Sequence, residues 1–308
     1  MYVLTGVSGY LGSAMAEELL GRVKPAELVF TSRNTAALRK FAERGARTVE
    51  ADYDNPESLV EAFAGSKRLL MISGMLVGPH RRRQHRNVVE AAKRAGIEHV
   101  VYTSYLGAGD PENDALVTLD HRFTEEAIME SGMGWNFMRN SQYADAMAEE
   151  QAAMAVGSGK SIGNTADGKV AFVARDDVAA VGVELLLGGG TPNTAYDITG
   201  PELLTYAQVG ALIQEVSGRD IEIIDLTDEQ MYAMWDALGV PRESTGDFSK
   251  SPVPWCSDDM VSFGRAIREG AMAAHTTNLT DLTGRPGITL RELMQRAAPN
   301  WTAPAEQQ

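Results

Sequence analysis

The chain has 308 residues, 44% of them apolar, and a formal net charge of −14. That length and apolar share suffice for one large domain or two, while the acidity argues against a nucleic-acid backbone or an anionic membrane as partner. The single cysteine, Cys256, can form no internal disulfide and fits a reducing compartment, so a cytoplasmic location is expected.

Short apolar runs at residues 2–5, 27–31, 47–50, 68–73, 99–104 and 135–138 read as strands. Amphipathic stretches lie between them at 11–20, 35–43, 56–63, 80–95 and 119–130. Strands separated by helices in this way make βαβ units, and right-handed crossovers then build a doubly wound parallel sheet with helices on both faces. After about residue 144 the rhythm loosens. Helices are expected at 176–187, 206–216, 228–238, 258–269 and 290–297, with short strands at 170–173, 195–198 and 222–225. The expected fold is α/β: a Rossmann-type nucleotide domain at residues 1–144 and a smaller mixed lobe at 145–308, interleaved with it. Residues 239–255, rich in Pro, Gly and Ser, read as a surface loop or lid, and residues 303–308 as a frayed tail. No apolar run approaches about 18 residues, and no charged-then-apolar leader precedes the first strand, so neither a membrane span nor a signal peptide is expected.

The strongest local signal is Thr5-Gly6-Val7-Ser8-Gly9-Tyr10-Leu11-Gly12, between the first strand and the first helix. Glycines there allow a tight turn, close approach of a pyrophosphate and close helix–strand packing. The helix N-terminus adds free N–H groups and the positive end of its dipole. The second strand ends in Thr31-Ser32-Arg33-Asn34, without the acid that would hold the ribose hydroxyls of NAD. Arg33 suits a 2′-phosphate, so NADP(H) is the expected cofactor. Asp52, at the end of the third strand, could accept from the adenine amino group. Ser73 and Gly74 end the fourth strand, and Ser104 and Tyr105 end the fifth, all at carboxyl ends where open α/β sheets bind ligands.

The chain resembles the NmrA-like atypical short-chain dehydrogenase/reductases, and within them the branch of NADPH-dependent quinone reductases and triphenylmethane reductases. The residues that carry the resemblance are Thr5 to Gly12, Ser32-Arg33-Asn34, Ala51-Asp52-Tyr53, Gln84-His85-Arg86-Asn87 and Tyr102-Thr103-Ser104. Met138-Arg139-Asn140, Arg175 with Asp177-Val178-Ala179, Thr199-Gly200-Pro201 and Leu282-Thr283-Gly284-Arg285-Pro286 continue it. The resemblance implies that Gly6, Ser8, Gly9, Tyr10, Leu11 and Arg33 bind NADPH and that Asp52, Ser73, Gly74 and Ser104 line its remaining length. It places Asn140 and Tyr143 beside the nicotinamide and the substrate. Residues 239–255 depart from the pattern.

Typical short-chain dehydrogenases carry a Tyr-x-x-x-Lys pair on one helix face. None of the nine tyrosines here has lysine four positions on, and residues 119–130 contain no lysine at all. His121 on that helix is the first candidate proton donor, because a histidine changes charge near neutrality; Tyr143 and Tyr105 follow. His99 is expected at the periphery, and Arg81, Arg82 and Arg83 are expected on a solvated helix face. The histidines show no metal-ligand spacing. The function expected is reduction of a small quinone-like carbonyl compound by NADPH, and the alternative is a redox sensor that binds NADP without turnover. The partner is a small-molecule substrate, neither nucleic acid nor membrane, with homodimerisation left open.

Overall fold

The computed structural model describes residues 1–244, 246 and 248–301; the expected frayed tail at 303–308 lies outside them. Six strands alternate with helices through the first half of the chain: β1 (Tyr2–Leu4), β2 (Leu28–Ser32), β3 (Arg47–Glu50), β4 (Arg68–Met71), β5 (His99–Tyr105) and β6 (Gly134–Asn140). Between them run α1 (Tyr10–Arg22), α2 (Arg39–Ala42, preceded by a 3-10 turn at Thr35–Leu38), α3 (Pro56–Phe63), α4 (Pro79–Ala95) and α5 (Leu116–Glu130). The boundaries follow local chemistry. The Asn55 side chain caps α3 by accepting from Ser58 N–H with Pro56 at its first position, and α4 stops at Gly96, whose φ is +79°.

The second half begins with a continuous helical run: α6 (Ala144–Ala146), a π-helical segment (Met147–Gln151) and α7 (Ala152–Ser158). It continues through β7 (Lys160–Gly163), β8 (Lys169–Val170), α8 (Arg175–Leu186), β9 (Thr194–Ile198), β10 (Leu204–Thr205), α9 (Tyr206–Ser217) and β11 (Glu222–Asp225). Four helices complete it: α10 (Asp228–Ala237), α11 (Ser257–Arg268), α12 (Asn278–Thr283) and α13 (Leu290–Ala297). The strand expected at 170–173 is shorter, because only Lys169 and Val170 pair with β10. Neither β7 nor the 144–158 run was expected, and the π-helical turn explains the second omission: it breaks the 3.6-residue apolar period inside one helix.

Seven strands form one parallel sheet in the order β3-β2-β1-β4-β5-β6-β9. Alternation along each strand divides the core. Leu4, Phe30, Leu70, Val101 and Met138 meet α1 and α8 on one face, while Val3, Val29, Leu69, Val100 and Phe137 meet α3 and α4 on the other. The second lobe has its own core of α7, α9 and α13 residues, including Val156, Ile213 and Met294. Strand β9 pairs with β6, and α8 is buried against α1. The chain thus returns to the first sheet after starting its second lobe.

The close fit of α1 on β1 rests on Gly12, where a Cβ atom would come within 2.8 Å of Gly6 C and Val7 Cα. Those are backbone atoms and cannot swing aside. At Gly9 the nearest atom to an added Cβ is Gly6 O, at an ordinary 3.4 Å. Gly12→Ala should therefore destabilise the fold by about 1–3 kcal/mol or more, as overpacking does, while Gly9→Ala leaves thermal unfolding nearly unchanged. Equal melting temperatures for the two variants would contradict this packing role.

Candidate active site

The loop between β1 and α1 is shaped by its own backbone. Gly6 takes φ +66°, a conformation that side chains disfavour, and packs on Ile72. Val7 N–H donates to Thr31 O (3.1 Å) and Gly9 N–H to Gly6 O (3.1 Å). Gly9 and Tyr10 are exposed at the start of α1, and no acid occupies the helix's first turn. The result is an open, uncapped N-terminus with donors and a favourable dipole for a pyrophosphate. Gly6, Ser8, Gly9 and Tyr10 lie together on this surface. Leu11 sends its side chain into the core, leaving only its backbone to face a ligand.

Ser32 Oγ donates to Ser8 Oγ (2.9 Å) and accepts from Asn34 N–H (3.1 Å), joining the end of β2 to the glycine loop. Arg33, between them, is exposed and has no partner among the described residues. Nearby cations are committed: Arg39 to Glu43, and Lys40 and Arg44 to Glu17. Asp52 Oδ1 accepts from Asp54 N–H (3.0 Å) in a turn at the end of β3.

The carboxyl ends of β1, β3 and β4 are fastened by buried polar contacts. Tyr53 Oη donates to Ile72 O (2.7 Å) and lies 2.6 Å from Thr5 Oγ1, which itself accepts from Ile72 N–H (3.0 Å). Asn87 donates to Tyr53 O (2.8 Å), and Ser73 N–H donates to Thr103 Oγ1 (2.9 Å). Gly74 N–H donates to His85 Nε2 (2.8 Å). Because Thr124 Oγ1 gives its proton to Asp120 O, it accepts from His85 Nδ1 at 2.8 Å. Both nitrogens of His85 are thus satisfied in its neutral form. Burial, reinforced by Arg81, lowers its pKa to about 3.

At the ends of β5 and β6 the three proposed proton donors converge. Tyr105 and Asn140 are register partners, and Asn140 Nδ2 reaches Tyr143 Oη (3.5 Å). The His121 ring stacks on Tyr105 with centroids 5.8 Å apart, and His121 Nδ1 lies 2.8 Å from Tyr102 Oη. Tyr105 Oη and Asn140 Oδ1 are buried without hydrogen-bond partners among the described residues. Burial holds the His121 pKa well below its ordinary value, with Arg81 and His85 adding to the effect, and pushes Tyr105 and Tyr143 up. Ser104 is buried, its hydroxyl donating to Glu125 (2.6 Å), which also takes both arms of Arg139 (2.9 and 2.6 Å).

Three side chains take places that the sequence did not assign them. The Arg175 guanidinium lies over both the Tyr10 ring (5.4 Å) and the Tyr143 ring (5.6 Å), bridging the glycine loop to the β6 corner. His99 is not peripheral: it is buried at the start of β5, with Nε2 3.0 Å from Asn136 Oδ1. Nor is the arginine run uniformly solvated, since Arg81 is only 6% exposed. Helical period explains the split, because successive residues face about 100° apart. Within residues 239–255, Ser244 donates to Val77 O (2.5 Å), and Trp255 meets Trp235 edge-on at 4.9 Å. The positions 245 and 247 of that segment lie outside the described residues.

The neutral burial of His85 has a measurable consequence. The unfolded chain takes its proton near 6.5 and the folded protein only near about 3. Between those values unfolding takes up a proton, so stability falls as pH drops, by about 1.4 kcal/mol per pH unit for one such group. His85→Gln should flatten the pH dependence of the melting temperature below about pH 6.5, and an unchanged slope would contradict it.

The profile of the NAD(P)H-binding family matches residues 6–187. Quinone oxidoreductase 2 of Escherichia coli (strain K12) is 30% identical over 293 residues, covering 95% of this chain and 96% of that protein. A crystal structure of the NADPH-dependent quinone oxidoreductase of Escherichia coli, complexed with NADPH, superposes with a TM-score of 0.86 at 29% identity, covering 96% of this chain and 99% of the other. The triphenylmethane reductase of Citrobacter sp., complexed with NADP(H), superposes with a TM-score of 0.83 at 28% identity, over 96% of this chain and 100% of that one. Similar to these along nearly its whole length, and carrying a glycine loop between β1 and α1, the chain belongs to the NAD(P)H-binding family, in its NmrA-like branch, and is an NAD(P)H-dependent reductase.

Proposed function

We propose that this protein transfers hydride from NADPH to a small conjugated or aromatic carbonyl compound of the quinone type. The observation that supports this most is electrostatic. None of the three candidate proton donors at the corner where the reaction would occur is a ready acid. His121 is held neutral by burial, and the phenols of Tyr105 and Tyr143 are made weaker acids by theirs. A ketone needs a proton at once, because its alkoxide is strongly basic. A quinone does not, because its reduced oxyanion is a weak base and can be protonated by water.

Each region has a task in this proposal. The backbone at Gly6, Ser8, Gly9, Tyr10, Leu11 and Gly12 binds the pyrophosphate, and Arg33 binds the 2′-phosphate. Asp52 faces the adenine, while Ser73 and Gly74 run along the cofactor. Ser104, hydrogen-bonded to Glu125, supports that wall from within. Asn140 and Tyr143 flank the nicotinamide, which supplies the hydride when the cofactor is bound. Residues 1–144 carry the nucleotide and 145–308 build the substrate wall. Among the described residues no helix is long and apolar enough to cross a membrane, and the buried, unpaired Cys256 suits a reducing compartment such as the cytoplasm.

Two measurements test the proposal. NADPH should bind more tightly than NADH, and Arg33→Ala should erase most of the difference. A charge-assisted pair is worth about 1.5–3 kcal/mol, or about 10- to 150-fold in affinity. Equal affinities in the unmodified protein would refute the assignment of Arg33.

Turnover should be followed at the nicotinamide absorbance over quinones, enones, aldehydes and ketones. Quinones should be reduced fastest, and His121→Gln should lower that rate by less than tenfold, well short of the ~10²–10⁴-fold that a proton-transferring residue supplies. A larger loss would make His121 the proton donor. Tight NADPH binding without turnover on any acceptor would favour a redox sensor instead.

A further inference from the structure

Arg81, in the first turn of α4, is a buried cation with unfilled hydrogen-bonding capacity. Its Nη2 donates to Met75 O (2.8 Å), the residue after Gly74, which holds the guanidinium at the carboxyl end of β4. Among the described residues its Nε and Nη1 have no hydrogen-bond partner. The nearest carboxylate does not fill them. Asp120 spends Oδ1 on Arg82 Nε (2.6 Å) and Oδ2 on Gly78 N–H (2.5 Å), and stands 3.9 Å from Arg81 Nη1.

A second carboxylate approaches from α11. Asp259 is 8% exposed, lies within Coulombic reach of Arg81, Asp120 and Tyr105, and its Oδ1 also lacks a hydrogen-bond partner among the described residues. Its helix packs on α5, and Phe263 on the same helix meets the Tyr105 ring at 6.1 Å. Arg81 likewise acts electrostatically on His121 and His85. Arg81 Nη1 stands 3.9 Å from Asp120, the residue before His121 on α5, so its unfilled donors lie beside the helix that brings His121 to the Tyr105 corner. Native interiors rarely leave such groups unpaired, least of all on a charged side chain.

We propose that Arg81 is the residue that binds the acceptor's oxygen, holding the atom on which negative charge develops during reduction, with Asp259 as the counter-charge that limits how tightly it is held. This rests on the quinone reading above. When a quinone accepts hydride it gains two electrons and one hydrogen, leaving a phenolate oxygen that water then protonates. A guanidinium already buried and oriented stabilises that charge without reorganising.

The test uses the whole protein and two probes, 1,4-naphthoquinone as acceptor and 4-nitrophenol as an oxyanion whose visible band reports its ionisation. Bound to the protein, with or without NADP⁺, 4-nitrophenol should ionise at lower pH than it does free. Arg81→Gln should weaken phenolate binding and lower kcat/KM for naphthoquinone, each by about ten- to hundredfold, with NADPH affinity unchanged. Asp259→Asn should do the opposite to phenolate binding and tighten it, because a nearby negative charge is lost. A folded, NADPH-binding Arg81→Gln protein with unchanged phenolate affinity would overturn the inference, as would equal weakening by both substitutions. Should Arg81→Gln fail to fold, Asp259→Asn decides alone, and unchanged or weaker phenolate binding refutes it. If phenolate binding depends on Arg81 but no quinone is reduced, the binding role stands and the quinone proposal falls.

Discussion

Everything at the working end of this protein depends on how the carboxyl edge of its parallel sheet is satisfied. Where strands end, backbone N–H and C=O groups lose their ladder partners, and buried ones must find others. Here side chains from neighbouring segments fill the gap. Tyr53 and Thr5 bind the end of β4 to β1, His85 receives Gly74, and Thr103 receives Ser73. These contacts set the floor on which the glycine loop and the Gly74 turn rest. They also give Tyr53, His85 and Asn87 their place, as side chains that satisfy backbone groups beneath the sheet's edge.

The same burial decides the chemistry. Histidines and tyrosines packed beneath the edge lose access to water, which suppresses the charged form of each. His121 and His85 become neutral hydrogen-bonding groups, and the tyrosines become weaker acids. Positive charge at the edge comes from arginines. Arg33 is exposed at the end of β2, Arg175 lies across two aromatic rings, and Arg81 is buried beside Gly74. A protein with a net charge of −14 can thus present a locally basic surface to an anionic cofactor.

The second lobe is tied to the first by chain path. Strand β9 completes the sheet beside β6, and α8 is buried against α1 with nine of its residues inaccessible, among them Gly182, where an added Cβ would lie 2.6 Å from Met15 Cε. The N-terminus of α8 is held by Asp145, which accepts from Arg175 N–H at 2.7 Å, placing the Arg175 side chain over the Tyr10 and Tyr143 rings. A helix from the second half of the chain thereby reaches the start of α1 and the end of β6.

The amino-acid sequence by itself determined the alternation of strands and helices, the glycine loop and its position before α1, and the basic residue at the end of β2. These are local matters: periodicity, capping residues and turn chemistry act over a few neighbours, as the Thr205–Gln208 and Thr289–Glu292 capping boxes show. Tertiary structure alone decided which charged and polar side chains are buried. Arg81 and Arg83 stand two positions apart in one run, yet only Arg81 is buried, because α4 turns it toward α5, where Asp120 stands 3.9 Å away. His121 reads in the sequence as a proton donor at neutral pH, but the packing of Tyr102 and Tyr105 around it keeps it uncharged. The approach of Asp259 to that corner joins residues from opposite halves of the chain. Solvation and long-range approach set a group's charge and partners, and neither is written in the residues beside it.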